Sequence, residues 1–199
     1  ADFKGKRFVP GQVASATEVN SREMMEPFGL NYMKDKGETN VTADYLGYNE
    51  AVDLMKNAQT DGAHIAGGVP TASVLDALSS GAGYLVPLEE DKIAAISEKY
   101  PWYFPFTIPA GAYASETSDI QTVAVANILF TDARQDEELI YQLTKATFEH
   151  HDDLVAAHKA TEYTVLENSL NGMPIPLHKG AIRYLKEMGV EVPEKLIVD

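Results

Sequence analysis

The feature that most constrains the fold is an alternation, in the first half of the chain, of short β-like runs with amphipathic segments of helix length. We predict strands over residues 6–10, 41–45 and 62–66. Alternation of this kind is typical of a parallel sheet whose faces are covered by helices. The predicted fold class is therefore α/β.

Sequence patterns also predict where the helices begin and end. Ser15 and Glu18 have the spacing of a capping box, and Gly29 is a C-terminal stop, so a helix is predicted to end at Phe28. A second helix, with Asn49 as its cap, is indicated by apolar residues at helical spacing: Ala51, Leu54, Met55 and Ala58.

The rest of the chain is predicted more coarsely. Further helices are expected over residues 72–79 and 92–99, and residues 84–87 are expected to be extended. Residues 100–113 are rich in proline and aromatic residues, which favours a loop or chain crossing. A strand over residues 122–130 and helices beyond Glu137 complete the prediction, with a domain boundary near Phe106.

Composition excludes several classes of partner. Thirty Asp and Glu residues against sixteen Lys and Arg give a net charge of -14, and no basic cluster with interleaved aromatic residues exists to bind nucleic acid. The longest apolar runs are far shorter than the roughly 20 residues that span a bilayer. The absence of cysteine excludes disulfides, zinc–thiolate centres and cysteine nucleophiles.

Two glycine-containing turns are the candidate binding elements. Residues 11–17 and 67–71 each lead into a predicted helix, whose start presents N–H groups and about half a unit of positive charge to an anion. The candidate ligand-binding residues in and beside these turns are Ser15, Thr17, His64, Gly67, Gly68, Thr71 and Ser73. The alternatives are that the hydroxyl groups only cap their helices and that the histidine is a hydrogen-bonded, partly buried residue.

Other site chemistries find little support in the sequence. Neither turn has a nucleotide-binding fingerprint, and no G-x-S-x-G motif presents a nucleophile. Acidic and histidine residues at 149–153 occupy successive helical positions, which point in different directions and do not converge on a metal. Residues 100–106 could line a ligand cleft or pack under a loop. We expect no enzyme activity, no cofactor and no bound metal.

An ordered series of motifs resembles the TRAP-associated extracytoplasmic immunogenic (TAXI) receptors over nearly the whole chain. In order, the motifs lie at residues 2–7, 46–48, 67–71, 107–113, 121–125, 137–141 and 174–189. The resemblance implies a type II periplasmic-binding-protein fold, in which two α/β lobes close on a ligand. It also implies delivery of glutamate, glutamine or a related carboxylate to the membrane subunits of a TRAP transporter, and hence a periplasmic location.

The resemblance also defines the expected domains. Residues 1–106 would form one ligand-binding lobe, and residues 107–199 would form a crossover strand and C-terminal helices that pack on another lobe. Family members carry about one more lobe before a segment like residues 2–7, so we expect a chain without signal peptide that binds weakly alone and exposes apolar helix surface. The alternative function is a ligand-sensing module that signals to a partner protein.

One loop departs from the family pattern. Residues 14–17 are Ala-Ser-Ala-Thr where the family tends to have Gly-Ser-Gly-Thr, so two positions that tolerate positive φ carry a side chain. We expect a ligand to approach the hydroxyl groups of Ser15 and Thr17 more than the bare backbone.

Overall fold

The computed structural model describes residues 3–197 as a mixed α/β protein. The strands are β1 (Arg7–Val9), β2 (Thr42–Ala43), β3 (Gly62–Ala63), β4 (Tyr103–Ile108) and β5 (Ile120–Val125). The helices are α1 (Ala16–Met25), α2 (Tyr48–Lys56), α3 (Ala72–Ser79), α4 (Glu90–Lys99), α5 (Glu137–Glu149), α6 (His151–Ala157) and α7 (Lys179–Glu187). Short 3-10 turns lie at Glu26–Phe28, Lys34–Lys36, Lys159–Tyr163, Leu166–Asn168 and Glu194–Leu196.

The first three strands form a parallel sheet in the order β2-β1-β3. The register pairs Phe8 with Ala43 on one side and Val9 with Ala63 on the other. The predicted parallel sheet is therefore confirmed, although each strand is shorter than the apolar run that predicted it. Because all three strands are parallel, the segments that follow them leave the same edge of the sheet.

Helix α1 starts where the capping pattern predicts. The Ser15 hydroxyl accepts the Glu18 N–H at 3.1 Å, and the helix continues as a 3-10 turn to Phe28 before Gly29 takes a left-handed conformation. The prediction that Glu18 completes the capping box is wrong. Its buried carboxylate pairs with Arg22 at 2.6 Å instead of accepting the backbone N–H of Ser15.

The start of helix α2 differs from the prediction. Asn49 lies inside the first turn, and Gly47 is the N-cap residue. A tertiary contact holds the earlier residue Tyr48 at the helix start, since its hydroxyl lies 2.6 Å from Thr17 Oγ1. By contrast, α3 matches its predicted bounds, and α4 begins two residues earlier than predicted.

Part of the proline-rich stretch forms a strand, so the prediction of a loop is wrong for those residues, whereas the predicted chain crossing agrees with the change of compact unit in this stretch. Residues Tyr103–Ile108 form β4, which pairs with β5 in a two-stranded sheet. Pro105 is tolerated because both strands of such a sheet are edge strands, where a missing N–H need not break a ladder. Strand β5 ends at Val125, five residues before the predicted end, and residues 84–87 form no strand.

The chain forms two compact units. The first contains the described residues up to Tyr100 together with Pro105–Val123, and the second contains Pro101–Phe104 and the described residues from Ala124 onward. The chain passes from one unit to the other three times: just before β4, within β4 and within β5. In the first unit the largest core cluster contains Phe8, Met25, Leu30, Tyr32 and Val41.

Helices α5 and α7 build the core of the second unit around Tyr141, Tyr184 and Leu185. Leu139 and Leu143 lie on the outer side of α5 and are 56% and 46% exposed. Within residues 3–197, the longest helices are too short and too polar to cross a bilayer.

Candidate functional site

The seven predicted site residues lie in or next to two segments that leave the same edge of the parallel sheet. One segment follows β1 and leads into α1, and the other follows β3 and leads into α3. Because β1 and β3 are neighbours with Val9 beside Ala63, the two segments start side by side. The N-termini of α1 and α3 therefore follow adjacent strands, which is the usual position of ligand sites in open α/β sheets.

The start of α1 has hydrogen-bond donors to spare. The Ser15 oxygen accepts the Glu18 N–H, so the hydroxyl proton of Ser15 stays available. Within residues 3–197, the N–H groups of Ala16 and Thr17 have no acceptor. Three donors are thus present within one helical turn, at the positive end of the helix.

Thr17 and Tyr48 together supply a fourth donor. Their hydroxyl oxygens lie 2.6 Å apart, and Thr17 is buried. Two hydroxyl groups carry two protons, and their mutual bond uses one, so the accepting partner keeps its own proton. Either hydroxyl group can therefore contact a ligand, but only one can donate to it.

Helix α1 also carries a buried carboxylate, which would by itself repel an anion. Glu18 is 3% exposed, and Arg22 neutralises it at 2.6 Å while the Tyr32 hydroxyl donates to it at 3.1 Å. Burial and the Glu18 charge raise the pKa of Tyr32, which keeps its proton on the phenol. The Glu18 charge is thus balanced by Arg22, and the start of α1 keeps the partial positive charge of the helix dipole.

His64 immediately follows β3 and contacts the second turn of α1. Its Nδ1 lies 2.8 Å from Ser21 Oγ, and that hydroxyl also donates to the Pro10 carbonyl at 2.8 Å. The ring keeps some accessible surface but is densely surrounded by protein. Desolvation by this burial lowers the pKa of His64 to about 4, against a smaller opposing effect from a hydrogen bond with the Thr17 backbone. His64 is therefore neutral at pH 7.

Ser21 and His64 do not form a nucleophile–base pair. The Ser21 proton goes to the Pro10 carbonyl, which can only accept, so it is not offered to the imidazole. Ser21 is also 2% exposed, which leaves a substrate no approach to its oxygen. Among residues 3–197, no group of three or more His, Asp or Glu side chains is arranged to hold a metal.

At the start of α3 both donors of the cap residue Thr71 are engaged. The Thr71 hydroxyl donates to the Gly68 carbonyl, and the Thr71 N–H donates to the Tyr113 hydroxyl at 3.0 Å. A Cβ at Gly67 would lie 2.7 Å from Thr71 Oγ1, so this turn requires glycine there. Ser73 is buried within the helix.

Other donors remain at this second turn. Within the described residues, the N–H groups of Ala72, Ser73 and Val74 and the Ser73 hydroxyl have no acceptor, whereas both donors of Thr71 are engaged. Both helix starts therefore keep free donors, and they differ in that the hydroxyl of the cap residue is free to donate at α1 but not at α3.

Three residues of this region were not predicted from the sequence: Ser21, Tyr48 and Tyr113. Tyr48 and Tyr113 both stand in motifs that resemble TAXI receptors, at residues 46–48 and 107–113, so those motifs were an available indication. Ser21 is an ordinary mid-helix serine. Only the fold brings Ser21 to His64 and Tyr113 to Thr71.

A separate open groove of about 740 Å³ does not contain any of the predicted site residues. It lies in the first unit and is lined by Arg7, Ala43, Asp44, Tyr45, Leu46, Leu54 and Gln59. Its principal charges are already paired, since Arg7 Nε lies 2.5 Å from the Asp44 carboxylate. The free donors at the helix starts therefore remain the better candidate for binding an anion.

Comparison with known families places these observations in a functional class. Residues 1–189 match the profile of the NMT1-like family. Proteins of this kind are related to substrate-binding proteins of transport systems and are usually extracytoplasmic. The match covers almost the whole chain, including both helix starts.

Proposed function

Because the chain belongs to the NMT1-like family of solute-binding proteins, we propose that it is the substrate-binding component of a TRAP transporter, of the TAXI type. It binds a small organic anion such as glutamate or a related carboxylate, outside the cytoplasm. It hands this ligand to the membrane subunits without altering it. The lobe has the type II periplasmic-binding-protein fold.

The observation that carries this proposal is the group of unused donors at the start of α1. Ser15, Ala16 and the Thr17–Tyr48 pair present hydroxyl and N–H donors in one helical turn. Oxygen acceptors of a carboxylate match such donors, and the helix dipole adds about 0.3–1 kcal/mol. In the proposed site the starts of α1 and α3 hold the anion, and His64, Gly67 and Gly68 form its wall.

Proline substitution at the first helical position tests this site selectively. Ala16→Pro and Ala72→Pro each remove one free N–H, at a position where proline suits the helix. The preceding residues, Ser15 and Thr71, are already extended with ψ near 158° and 136°, as a residue before proline requires. We expect Ala16→Pro to weaken L-glutamate binding about tenfold or more, since each hydrogen bond to a charged group contributes about 1.5–3 kcal/mol.

Glu90→Pro is the matched control. It removes the equivalent N–H of α4, whose preceding residue Glu89 is also extended, with ψ 144°. Binding is measured by titrating L-glutamate and following amide chemical shifts, which detects even weak complexes, with thermal melts as the check on folding. Equal affinity in the wild type and Ala16→Pro, or equal loss in Glu90→Pro, would contradict the proposed site.

A further inference from the structure

The hydrogen bonds around His64 determine which of its nitrogens carries the proton. Ser21 has one hydroxyl proton, and the Pro10 carbonyl, 2.8 Å away, can only accept it. Ser21 Oγ must then act as acceptor toward His64 Nδ1, also at 2.8 Å. If the serine proton pointed at the imidazole instead, lone pairs of Ser21 Oγ and of the Pro10 carbonyl oxygen would face each other at 2.8 Å.

The neutral ring therefore carries its proton on Nδ1 and has a lone pair on Nε2. Ser21 is the only side chain within 3–197 that hydrogen-bonds the ring, and the Thr17 backbone acts on the ring only as a weaker acceptor. In the same range only Arg22 Nε and Ser97 Oγ are fully buried without a partner. His64 Nε2 therefore keeps accessible surface, and it can accept a hydrogen bond from a ligand.

We propose that His64 Nε2 is a specificity-determining acceptor that selects anions bearing a hydrogen-bond donor, such as 2-amino or 2-hydroxy acids, over 2-oxo and unsubstituted acids. This inference rests on the proposed function, because it assigns the second recognition element of the same site. The helix starts supply donors for the carboxylate. His64 supplies the complementary acceptor for a neighbouring ammonium or hydroxyl group.

The physical basis is the penalty for an unpaired polar group. A 2-oxo acid places a second acceptor against the Nε2 lone pair, and a methylene group leaves that lone pair without a partner. Sites that hydrogen-bond a substrate group reject analogues lacking it much more strongly than apolar pockets reject a missing methyl group. The burial that keeps His64 neutral also keeps Nε2 an acceptor at pH 7.

Four five-carbon probes that differ only at C2 test the selection: L-glutamate, 2-hydroxyglutarate, 2-oxoglutarate and glutarate. We expect the first two to bind the chain at least about tenfold more tightly than the last two in the amide-shift titration. His64→Phe fills the space but lacks the acceptor, so it should remove this difference while leaving residual carboxylate binding. Ser21→Ala removes the acceptor that keeps the His64 proton on Nδ1. It should therefore reduce the difference in affinity between the two pairs of probes.

The outcomes separate the two hypotheses. Equal binding of glutarate and L-glutamate to the wild-type chain would overturn the inference and leave the proposed function standing. Binding of none of the four would overturn both. The ring nitrogen resonances give an independent reading: a proton on Nε2, directed for example at the Thr17 backbone, would overturn the inference whatever the affinities are.

Discussion

At the scale of single residues, Ala14 has an unusual backbone conformation just before α1. Its φ is 59°, in the left-handed region that costs a residue with a Cβ about 1–2 kcal/mol. This is one of the two alanines that replace glycines of the TAXI pattern. The other, Ala16, lies in the first turn of α1 and needs no such freedom. The departure therefore strains one position, not two.

We expect Ala14→Gly to raise the free energy of unfolding by about 0.5–1 kcal/mol, because relief of the left-handed conformation exceeds the entropy that glycine adds to the unfolded chain. Urea denaturation measures the change. Ala16→Gly is the control, and it should lower stability, since glycine is unfavourable inside a helix. An Ala14→Gly protein no more stable than the wild type would show that the strain is absent.

His64 makes stability depend on pH at the same scale. Its pKa is about 4 in the folded chain and near 6.5 in the unfolded chain, so between these values only the unfolded state binds the proton. Stability from the neutral ring is complete above pH 6.5 and is lost as pH falls toward 4. The total effect is at most about 3 kcal/mol.

The comparison that isolates this effect is wild type against His64→Phe, each unfolded in urea from pH 7 to pH 4. The difference in unfolding free energy between the two proteins should shrink as pH falls, because only the wild type loses the contribution of the neutral ring. Hydrogen bonds lower the pKa values of other carboxylates, such as Glu26 beside Lys99 and Asp61 beside the Arg7 N–H, but these groups titrate in both proteins and cancel. A constant difference would mean that the ring titrates normally.

At the scale of elements, α7 packs against α5 through a glycine. A Cβ at Gly180 would lie 2.7 Å from the Tyr141 backbone nitrogen, and the Glu137 carbonyl oxygen is closer still. Both obstacles are backbone atoms, which cannot move aside as a flexible side chain can. The close approach of the two helices therefore depends on the missing side chain.

Gly180→Ala should lower the stability of the second unit by about 1–3 kcal/mol, as overpacking of a buried contact does. Helix propensity alone predicts the opposite sign, since alanine is about 1 kcal/mol better than glycine in a helix. Lys186→Ala, at an exposed position of the same helix, is the control with little expected effect. Amide exchange of α5 and α7 measures the change locally, and a stabilised Gly180→Ala would refute the packing argument.

At the scale of the whole molecule, the net charge of -14 opposes the approach of an anion. The proposed site attracts a carboxylate through dipoles and hydrogen-bond donors over short distances, while the long-range field is repulsive. Salt screens the long-range field more than the short contacts, since the Debye length falls from about 30 Å at 0.01 M to about 10 Å at 0.1 M.

Raising ionic strength over this range should therefore speed the association of a dianionic ligand such as glutarate. L-Glutamine, which is zwitterionic, is the control, and its association rate should change little. Stopped-flow fluorescence, with Trp102 or an attached dye as the probe, measures both rates. Slower association of the dianion at higher salt would indicate a local positive charge that dominates the entry path.

The sequence alone determined those features that depend on neighbours a few residues apart. The Ser15 cap, the Gly29 stop and both ends of α3 follow from local hydrogen bonding and hydrophobic spacing. These interactions join residues only a few positions apart, so the local pattern is enough to predict them. Membership of the NMT1-like family likewise follows from the sequence, which matches the family profile over residues 1–189.

Tertiary structure decided what depends on residues far apart in the chain. Pairing with β5 makes β4 a strand despite Pro105, and Tyr48 reaches Thr17 to set the start of α2. The division into a binding lobe and a segment that packs on another lobe stays a prediction, as do the roles of the site residues.

The chemistry of the candidate site belongs to this second group. Its three side-chain bonds, Thr17–Tyr48, Ser21–His64 and Thr71–Tyr113, join residues 31, 43 and 42 positions apart. Sequence patterns identified hydroxyl groups and a histidine near two turns. Which of their protons and lone pairs remain free is fixed by partners that only folding brings within hydrogen-bond distance.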